Sequence, residues 1–172
     1  HPFIFSKLIN NINYNKLENV TAQKFAITDS TETYIPFYAQ KNSDNLGLSS
    51  IKLNHDIKEY DLTNVSCGTL DSFFLKKDVT IKIIKIDTQG TELNVLLSGK
   101  KIINRDRPII IFEFESDYFT NSNDEKNAKQ DILDFFEKIN YELFMIDNNI
   151  KFMPKLTLKD YFQGDIIAVS SK

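Results

Sequence analysis

One short block, an apolar segment followed by an aspartate, a glycine and a glutamate, constrains this chain more than any other feature. The isoleucine-rich range 81–86 is typical of a buried strand. Asp87 follows it directly, Gly90 marks a turn, and Glu92 begins a segment with helical spacing. Ligands of open α/β sheets bind outside the carboxyl ends of the strands, so Asp87 lies where chemistry is usually done. The block predicts a strand–turn–helix unit with a candidate functional carboxylate at its turn.

The rest of the chain alternates between strand-like and helix-like segments. Helices are predicted at 3–13, at 69–74 with Thr69 or Asp71 as N-cap, at 92–103 and at 124–139. Strands are predicted at 20–27, 33–38, 59–67 (paired with 33–38), 81–86, 108–115 and 165–170, and the apolar segments 142–146 and 150–153 flank a polar turn. This order predicts an α/β fold: a mostly parallel sheet, covered on both faces, with an antiparallel closing pair at one edge. Without a linker or an internal repeat, residues 1–172 are expected to form a single domain.

Composition and charge narrow the possible partners. The 172 residues suffice for about one domain, and a net charge of −3 gives no basic surface for nucleic acid. Apolar runs are too short to cross a membrane, and no signal peptide is visible. The single cysteine, Cys67, excludes an internal disulfide, so a cytoplasmic setting is the default expectation, and the oligomeric state stays open. The sequence begins with His1, lacks an initiator methionine and soon enters a helical pattern, which we interpret as a cut amino end.

Two strand-end carboxylates are the candidates for chemistry. Asp87 could bind a cofactor amine or ribose, hold a metal or assist a proton transfer, but residue chemistry alone favours an aspartate that caps the following turn. Glu113, near the tip of the strand at 108–115, is either functional or a solvated strand end, because a buried carboxylate needs partners. Two carboxylates are too few to assert a metal ion, so no metal site is predicted.

Six segments, taken in order, resemble one known family. Residues 85–96 match the pattern Lys-Ile-Asp-x-x-Gly-x-Glu-x-x-Val-Leu, and residues 107–113 look like a next strand that ends in glutamate. The further matches are Phe-Ala-Ile-Thr-Asp at 25–29, Gly-Leu-Ser-Ser at 47–50, Leu-Asp at 70–71 and Gly-Asp-Ile-Ile-Ala at 164–168. Together these segments resemble the FkbM-type methyltransferases from one end of the chain to the other.

The resemblance implies a Rossmann-like class I methyltransferase fold that uses S-adenosylmethionine. Members of such a family generally methylate a hydroxyl oxygen on a sugar, lipid or natural-product acceptor, by in-line attack on the sulfonium methyl group. The resemblance places Asp87 close to the methyl-transfer centre, where it could orient acceptor or cofactor, and Glu113 near it on the adjacent strand. It places Ala26 and Ile27 near the adenine. The acceptor pocket is expected from segments 40–58 and 116–124.

One departure from the family is serious. Its first strand ends in an Asp-x-Gly-Ala-Asn-x-Gly loop and its second in Phe-Glu-Pro, and neither motif is present. The class I strand order 3-2-1-4-5-7-6 would place these two strands between segments 20–27 and 81–86. The expectation is therefore a sheet that lacks its first two strands, with two groups of strands that leave open edges. These residues alone should bind S-adenosylmethionine poorly or not at all.

Three classes of function stay open. The first is the larger part of an O-methyltransferase that is active only with its missing portion. The second is a nonenzymatic remnant or interaction module that keeps the scaffold. A nucleotide-dependent dehydrogenase is less favoured, because of the antiparallel closing strands and the lack of a dinucleotide-binding fingerprint. Roughly 50 or more upstream residues with a glycine-rich loop would favour the first class, given the size of a βαβ unit.

Overall fold

The structure, a computed structural model, describes residues 1–41, 46–53, 59–119, 121–145 and 164–171. The helices are α1 (Pro2–Tyr14), α2 (Leu70–Phe74), α3 (Glu92–Ser98), α4 (Lys100–Asp106) and α5 (Ser122–Lys138). The strands are β1 (Ala26–Ile27), β2 (Tyr34–Gln40), β3 (Tyr60–Gly68), β4 (Ile83–Ile86), β5 (Ile109–Phe114), β6 (Tyr141–Met145) and β7 (Gly164–Ser170). Short 3₁₀ helices occur at Leu46–Leu48 and Ser116–Tyr118. No helix within these ranges is long and apolar enough to cross a membrane.

Strand pairing divides the described strands between two sheets. One has the order β1-β3-β2 and the other the order β4-β5-β7-β6. The β1–β3 and β4–β5 pairs are parallel, whereas β2–β3, β5–β7 and β6–β7 are antiparallel. An α/β fold is thus confirmed, as are the pairing of segments 33–38 and 59–67 and the antiparallel closing pair. In the four-stranded sheet β4, β5 and β6 run in the same direction and β7 lies antiparallel between β5 and β6, so the expected mostly parallel sheet with an antiparallel closing strand is confirmed for these described strands. In the three-stranded sheet β1 and β3 run in the same direction and β2 runs against them.

The core lies between the four-stranded sheet and helices α3, α4 and α5. Alternate residues of β5 face these helices, and the ring of Phe112 stacks on that of Phe136 of α5 with centroids 5.6 Å apart. On the opposite face of the same sheet, Ile83 is 61% exposed and Ile109 41% exposed. The expectation that both faces are covered is therefore wrong for the described residues. The near-continuous apolar sequence of these strands is typical of strands buried on both faces, but among the described residues helices cover only one face of the sheet.

Three predicted elements differ from the structure. The strand expected at 20–27 is formed only at Ala26–Ile27. The helix expected at 92–103 is two helices that meet at Gly99, where a Cβ atom would come within 3.0 Å of a side chain of α2. The last predicted helix begins two residues earlier than expected, at Ser122. The apolar segment 150–153 lies outside the described residues.

Thr69 and Asp71, the two predicted N-cap candidates of α2, cap different helices. Thr69 caps α2, because its side chain accepts a backbone N–H at 3.0 Å. Asp71 instead caps α4: its two carboxylate oxygens accept the backbone N–H groups of Lys101 at 3.1 Å and Ile102 at 2.9 Å. The residue at the N-cap position of α4 is Gly99, which has no side chain, so a neighbouring helix supplies the missing acceptor.

Candidate functional site

The turn after β4 is closed by Glu92 and not by Asp87. One carboxylate oxygen of Glu92, Oε1, accepts the backbone N–H and the hydroxyl of Thr88 at 3.0 and 3.2 Å, and the backbone N–H of Gly90 at 3.2 Å. Glu92 is only 6% exposed. The carboxylate of Asp87 is exposed and accepts a hydrogen bond from the side-chain amide of Gln89 at 2.9 Å. Among the described residues Asp87 caps no backbone group, so the capping interpretation favoured by residue chemistry alone is wrong.

Tyr118 packs directly against this turn. Gly90 has a φ of +92°, and a Cβ atom there would lie 2.9 Å from the Cβ of Tyr118, so the position requires glycine for both conformation and space. The Tyr118 hydroxyl donates to the side-chain oxygen of Gln89, whose amide nitrogen in turn holds Asp87. Burial, and next the negative charge of Glu113, raise the pKa of Tyr118, so the phenol keeps its proton at neutral pH. Tyr118 and Gln89 thereby fix the orientation of the Asp87 carboxylate.

Ser50 supports the turn from the side of the other sheet. Its hydroxyl lies 3.2 Å from the carbonyl oxygen of Thr88 and 3.4 Å from that of Gln89, so these acceptors share its single proton. The backbone of Ser50 pairs with Tyr38 of β2, and the side chain is buried. A serine from the loop segment after β2 therefore connects the three-stranded sheet to the turn that carries Asp87.

A cavity of about 460 Å³ lies where the two sheets meet. Ala26 and Ile27 of β1 line it together with Asp87, so three of the four predicted site residues share one space. Its other walls are mainly apolar and include Leu70, Ile84, Ile86 and Val95. The volume falls within the roughly 300–1,000 Å³ typical of small-molecule and cofactor sites.

Glu113, the fourth predicted residue, does not line this cavity but lies beside Asp87. The pairing of β4 with β5 ends at Ile86 and Phe112, and Glu113 is the next residue of β5. On the other side of β5, Glu113 pairs with Asp165 of β7. Partial burial raises the pKa of Glu113, and the negative charges of Asp87, Glu115 and Asp165 raise it further, while Lys85 opposes them. In the described ranges no group of three or more histidine, cysteine, aspartate or glutamate side chains is arranged to hold a metal ion.

A second cavity, of about 360 Å³, lies on the other side of the turn, between α3 and α5. Gly90 and Glu92 form one wall, and Lys52 and Phe119 belong to the segments expected to build an acceptor pocket. Asp124 and Asp131 of α5 line the opposite wall. Residues of both segments, 40–58 and 116–124, therefore contribute to its lining.

Several residues of this site are not indicated by the sequence pattern. The sequence pattern indicates for Glu92 only that it begins a helical segment, although the residue is buried and accepts three hydrogen bonds. The spacing of Glu92 two residues after Gly90 carried a signal, because a side chain there can reach back to the N–H groups of the turn. No local pattern indicated that Ser50 and Tyr118 would contact the same turn, since both come from distant parts of the chain.

Comparison with known proteins gives one result for this chain. A family model described as the methyltransferase FkbM domain matches residues 2–143. No curated protein and no solved structure matched the chain in the corresponding searches.

Proposed function

The chain belongs to the methyltransferase FkbM domain family, and from this membership we propose that it transfers a methyl group from S-adenosylmethionine to a hydroxyl oxygen. The acceptor would be a small molecule or a hydroxyl group of a glycan or lipid. One structural observation supports the proposal in addition to the family membership. Ala26, Ile27 and Asp87, which follows the carboxyl end of β4, line the same cavity of about 460 Å³. Ligands of open α/β sheets bind at this end of the strands.

The residues of this cavity suit such a cofactor. Ala26 and Ile27 are partly buried and apolar, and they would form an apolar wall beside the adenine. Asp87 is exposed and held by Gln89, so its carboxylate can accept a hydrogen bond from an amine or a hydroxyl group. When bound, S-adenosylmethionine would supply an electrophilic methyl carbon for in-line attack.

Asp87 and Glu113 are the proposed catalytic residues. Asp87 orients the acceptor hydroxyl, and Glu113 accepts the proton that this hydroxyl loses. The methyl carbon would pass from the sulfonium sulfur to the hydroxyl oxygen, and the cofactor would leave as a neutral thioether. A base works best when its pKa is near the operating pH, and partial burial together with the charge of Asp87 moves the pKa of Glu113 in that direction. The remaining rate enhancement comes from holding the reacting groups in line.

We also propose that the cofactor site is complete only with additional strands between the two sheets. β1 and β4 are the outer strands of their sheets, and the cavity between them has apolar walls. The exposed Ile83 and Ile109 lie on the sheet face that no described helix covers. These features support a single methyltransferase domain, of which residues 1–172 are a part that lacks the cofactor loop and the first two strands.

Calorimetric titration of S-adenosylmethionine tests both proposals. The product of the whole reading frame should bind the cofactor, and residues 1–172 alone should bind it at least about 100-fold more weakly, a difference of roughly 2.7 kcal/mol. Ile27→Lys should weaken binding by the complete product, whereas Val79→Lys, at an apolar position 48% exposed and outside the cavity, should not. Tight binding by residues 1–172 would contradict the incomplete site.

Methyl transfer is tested separately, in the complete product, with labelled S-adenosylmethionine. Asp87→Asn and Glu113→Gln should each lower the rate of transfer by about 10²-fold or more, while Asp78→Asn, at an exposed loop position, should leave it unchanged. If the complete product neither binds the cofactor nor transfers its methyl group, the methyltransferase proposal is wrong. The interaction module that keeps the scaffold would then be the better interpretation.

A further inference from the structure

We propose that the cavity between α3 and α5 binds the acceptor, and that this acceptor is a hydroxylated ring with a positive charge, as in an aminosugar. The role of this ligand as a methyl acceptor rests on the proposed function, whereas its binding to the cavity does not. The cavity measures about 360 Å³, close to the lower end of the roughly 300–1,000 Å³ range of ligand sites. Such a space suits a ligand of about one sugar ring.

A buried carboxylate at the base of the cavity calls for a donor. Glu92 lines the cavity and is only 6% exposed, and its Oε1 accepts all three hydrogen bonds of the turn. Its other oxygen, Oε2, accepts no hydrogen bond from any residue that the structure describes. This oxygen belongs to a carboxylate that lines the cavity, so it can accept a hydrogen bond from a ligand hydroxyl or ammonium group.

The charges around the cavity select against anions. Three carboxylates line it, those of Glu92, Asp124 and Asp131, against one ammonium group, that of Lys52. Lys52 is already engaged: it donates to the carbonyl oxygen of Tyr118 at 3.1 Å. Asp131 is exposed and forms no ion pair within the described part of the chain. A cationic ligand would therefore be attracted, and a carboxylate or phosphate would be repelled.

The remaining wall is apolar and aromatic. The rings of Phe114 and Phe119 stack with centroids 5.4 Å apart, and Leu93 and Ala128 complete this side of the cavity. An apolar wall opposite carboxylates matches a sugar ring, which presents C–H groups on one face and hydrogen-bond donors at its edge. The same arrangement gives a flat hydrocarbon or a lipid tail no partner for the carboxylates.

The location of the cavity also fits an acceptor site. Gly90 and Glu92 form one of its walls, and the same turn presents Asp87 to the cavity between the sheets. The two cavities thus share a single turn at the carboxyl end of β4. A ligand in one cavity and a cofactor in the other would therefore lie on the two sides of this turn.

Three ligands of equal size and different charge test the inference. Glucosamine, glucose and glucuronate are titrated into the isotope-labelled protein without S-adenosylmethionine, and binding is followed by amide chemical shifts in NMR spectra. We expect glucosamine to bind about threefold to fivefold more tightly than glucose, and glucuronate to bind most weakly, from the size of one partly exposed charge interaction. The shifted amides should lie in α5 and in the turn at 88–92.

A charge reversal provides the matched control. Asp131→Lys should weaken glucosamine binding about fivefold or more and strengthen glucuronate binding. Glu137→Lys makes the same change of charge at an exposed position of α5 outside the cavity and should alter neither. The inference is wrong if glucuronate binds as tightly as glucosamine, if Asp131→Lys leaves the order unchanged, or if no ligand shifts the cavity amides. If glucosamine binds at the cavity but the complete product of the reading frame transfers no methyl group, the inference is supported and the proposed function is refuted.

Discussion

Replacing Glu92 by alanine should loosen the turn that carries Asp87. Three donors converge on one oxygen of this carboxylate, and two of them are backbone N–H groups that would lose their acceptor. Net hydrogen bonds to a charged acceptor contribute about 1.5–3 kcal/mol each, but the three share one atom and the donors of Thr88 and Gly90 are only partly buried. We therefore expect Glu92→Ala to reduce the free energy of unfolding by about 3 kcal/mol.

Urea unfolding followed by circular dichroism measures this loss. For a chain of this size, about 3 kcal/mol corresponds to a fall in melting temperature of roughly 6–12 °C. Glu92→Gln retains an acceptor oxygen at the same place and should lose only about 1 kcal/mol. Glu137→Ala, at an exposed position of α5, should stay within about 0.5 kcal/mol of the original protein. If Glu92→Ala is as stable as this control, the carboxylate does not hold the turn, and the account of how Asp87 is positioned fails.

Three further predictions follow from single groups. Gly90→Ala should lose more than about 1–2 kcal/mol in thermal unfolding, because φ is +92° and the new Cβ would lie 2.9 Å from that of Tyr118. The Arg105 guanidinium, through its hydrogen bond to Asp106, lowers the pKa of that carboxyl from 3.8 to about 2, so its stabilisation is present above pH 3.8 and is lost as the pH falls toward 2. The melting temperature of Asp106→Asn should therefore lie below that of the original protein above pH 3.8, and this difference should become smaller as the pH falls toward 2. The pKa of Glu113 is raised, so its ionisation destabilises the fold as the pH rises above its ordinary 4.5; Glu113→Gln should remove that loss in a melting series across pH.

Local patterns in the sequence predict the regular elements well. β4, the start of α3 and most of α5 follow from runs of apolar residues with periods of two and 3.6, which depend only on near neighbours. The break at Gly99 does not follow from periodicity, because Leu93, Leu96 and Ile103 continue a helical spacing across it. What ends α3 there is the close approach of α2 and the capping of α4 by Asp71, and both are tertiary contacts.

The same distinction explains which parts of the site the sequence predicts. Asp87 and the pair Ala26–Ile27 stand at the carboxyl ends of strands, so a topological rule brings them to one cavity before any contact is known. The single covered face of the four-stranded sheet could not be predicted in this way. An apolar strand such as β5 indicates burial on both sides, and whether a second layer is present depends on elements elsewhere.

The Asp87 carboxylate owes its position to three separate parts of the fold. Glu92 closes the turn from α3, Ser50 holds its carbonyl groups from the loop after β2, and Tyr118 reaches Gln89 from the segment after β5. Of these three residues, only Ser50 is attached to the three-stranded sheet. The conformation of the turn therefore depends on how the two sheets are placed relative to each other. A catalytic group must be held within about 0.5 Å of its productive position by such supporting contacts. We therefore expect an element placed between β1 and β4 to act on Asp87 through Ser50, even if it never contacts the carboxylate. The element proposed to complete the cofactor site should, for this reason, also affect the orientation of the proposed catalytic carboxylate.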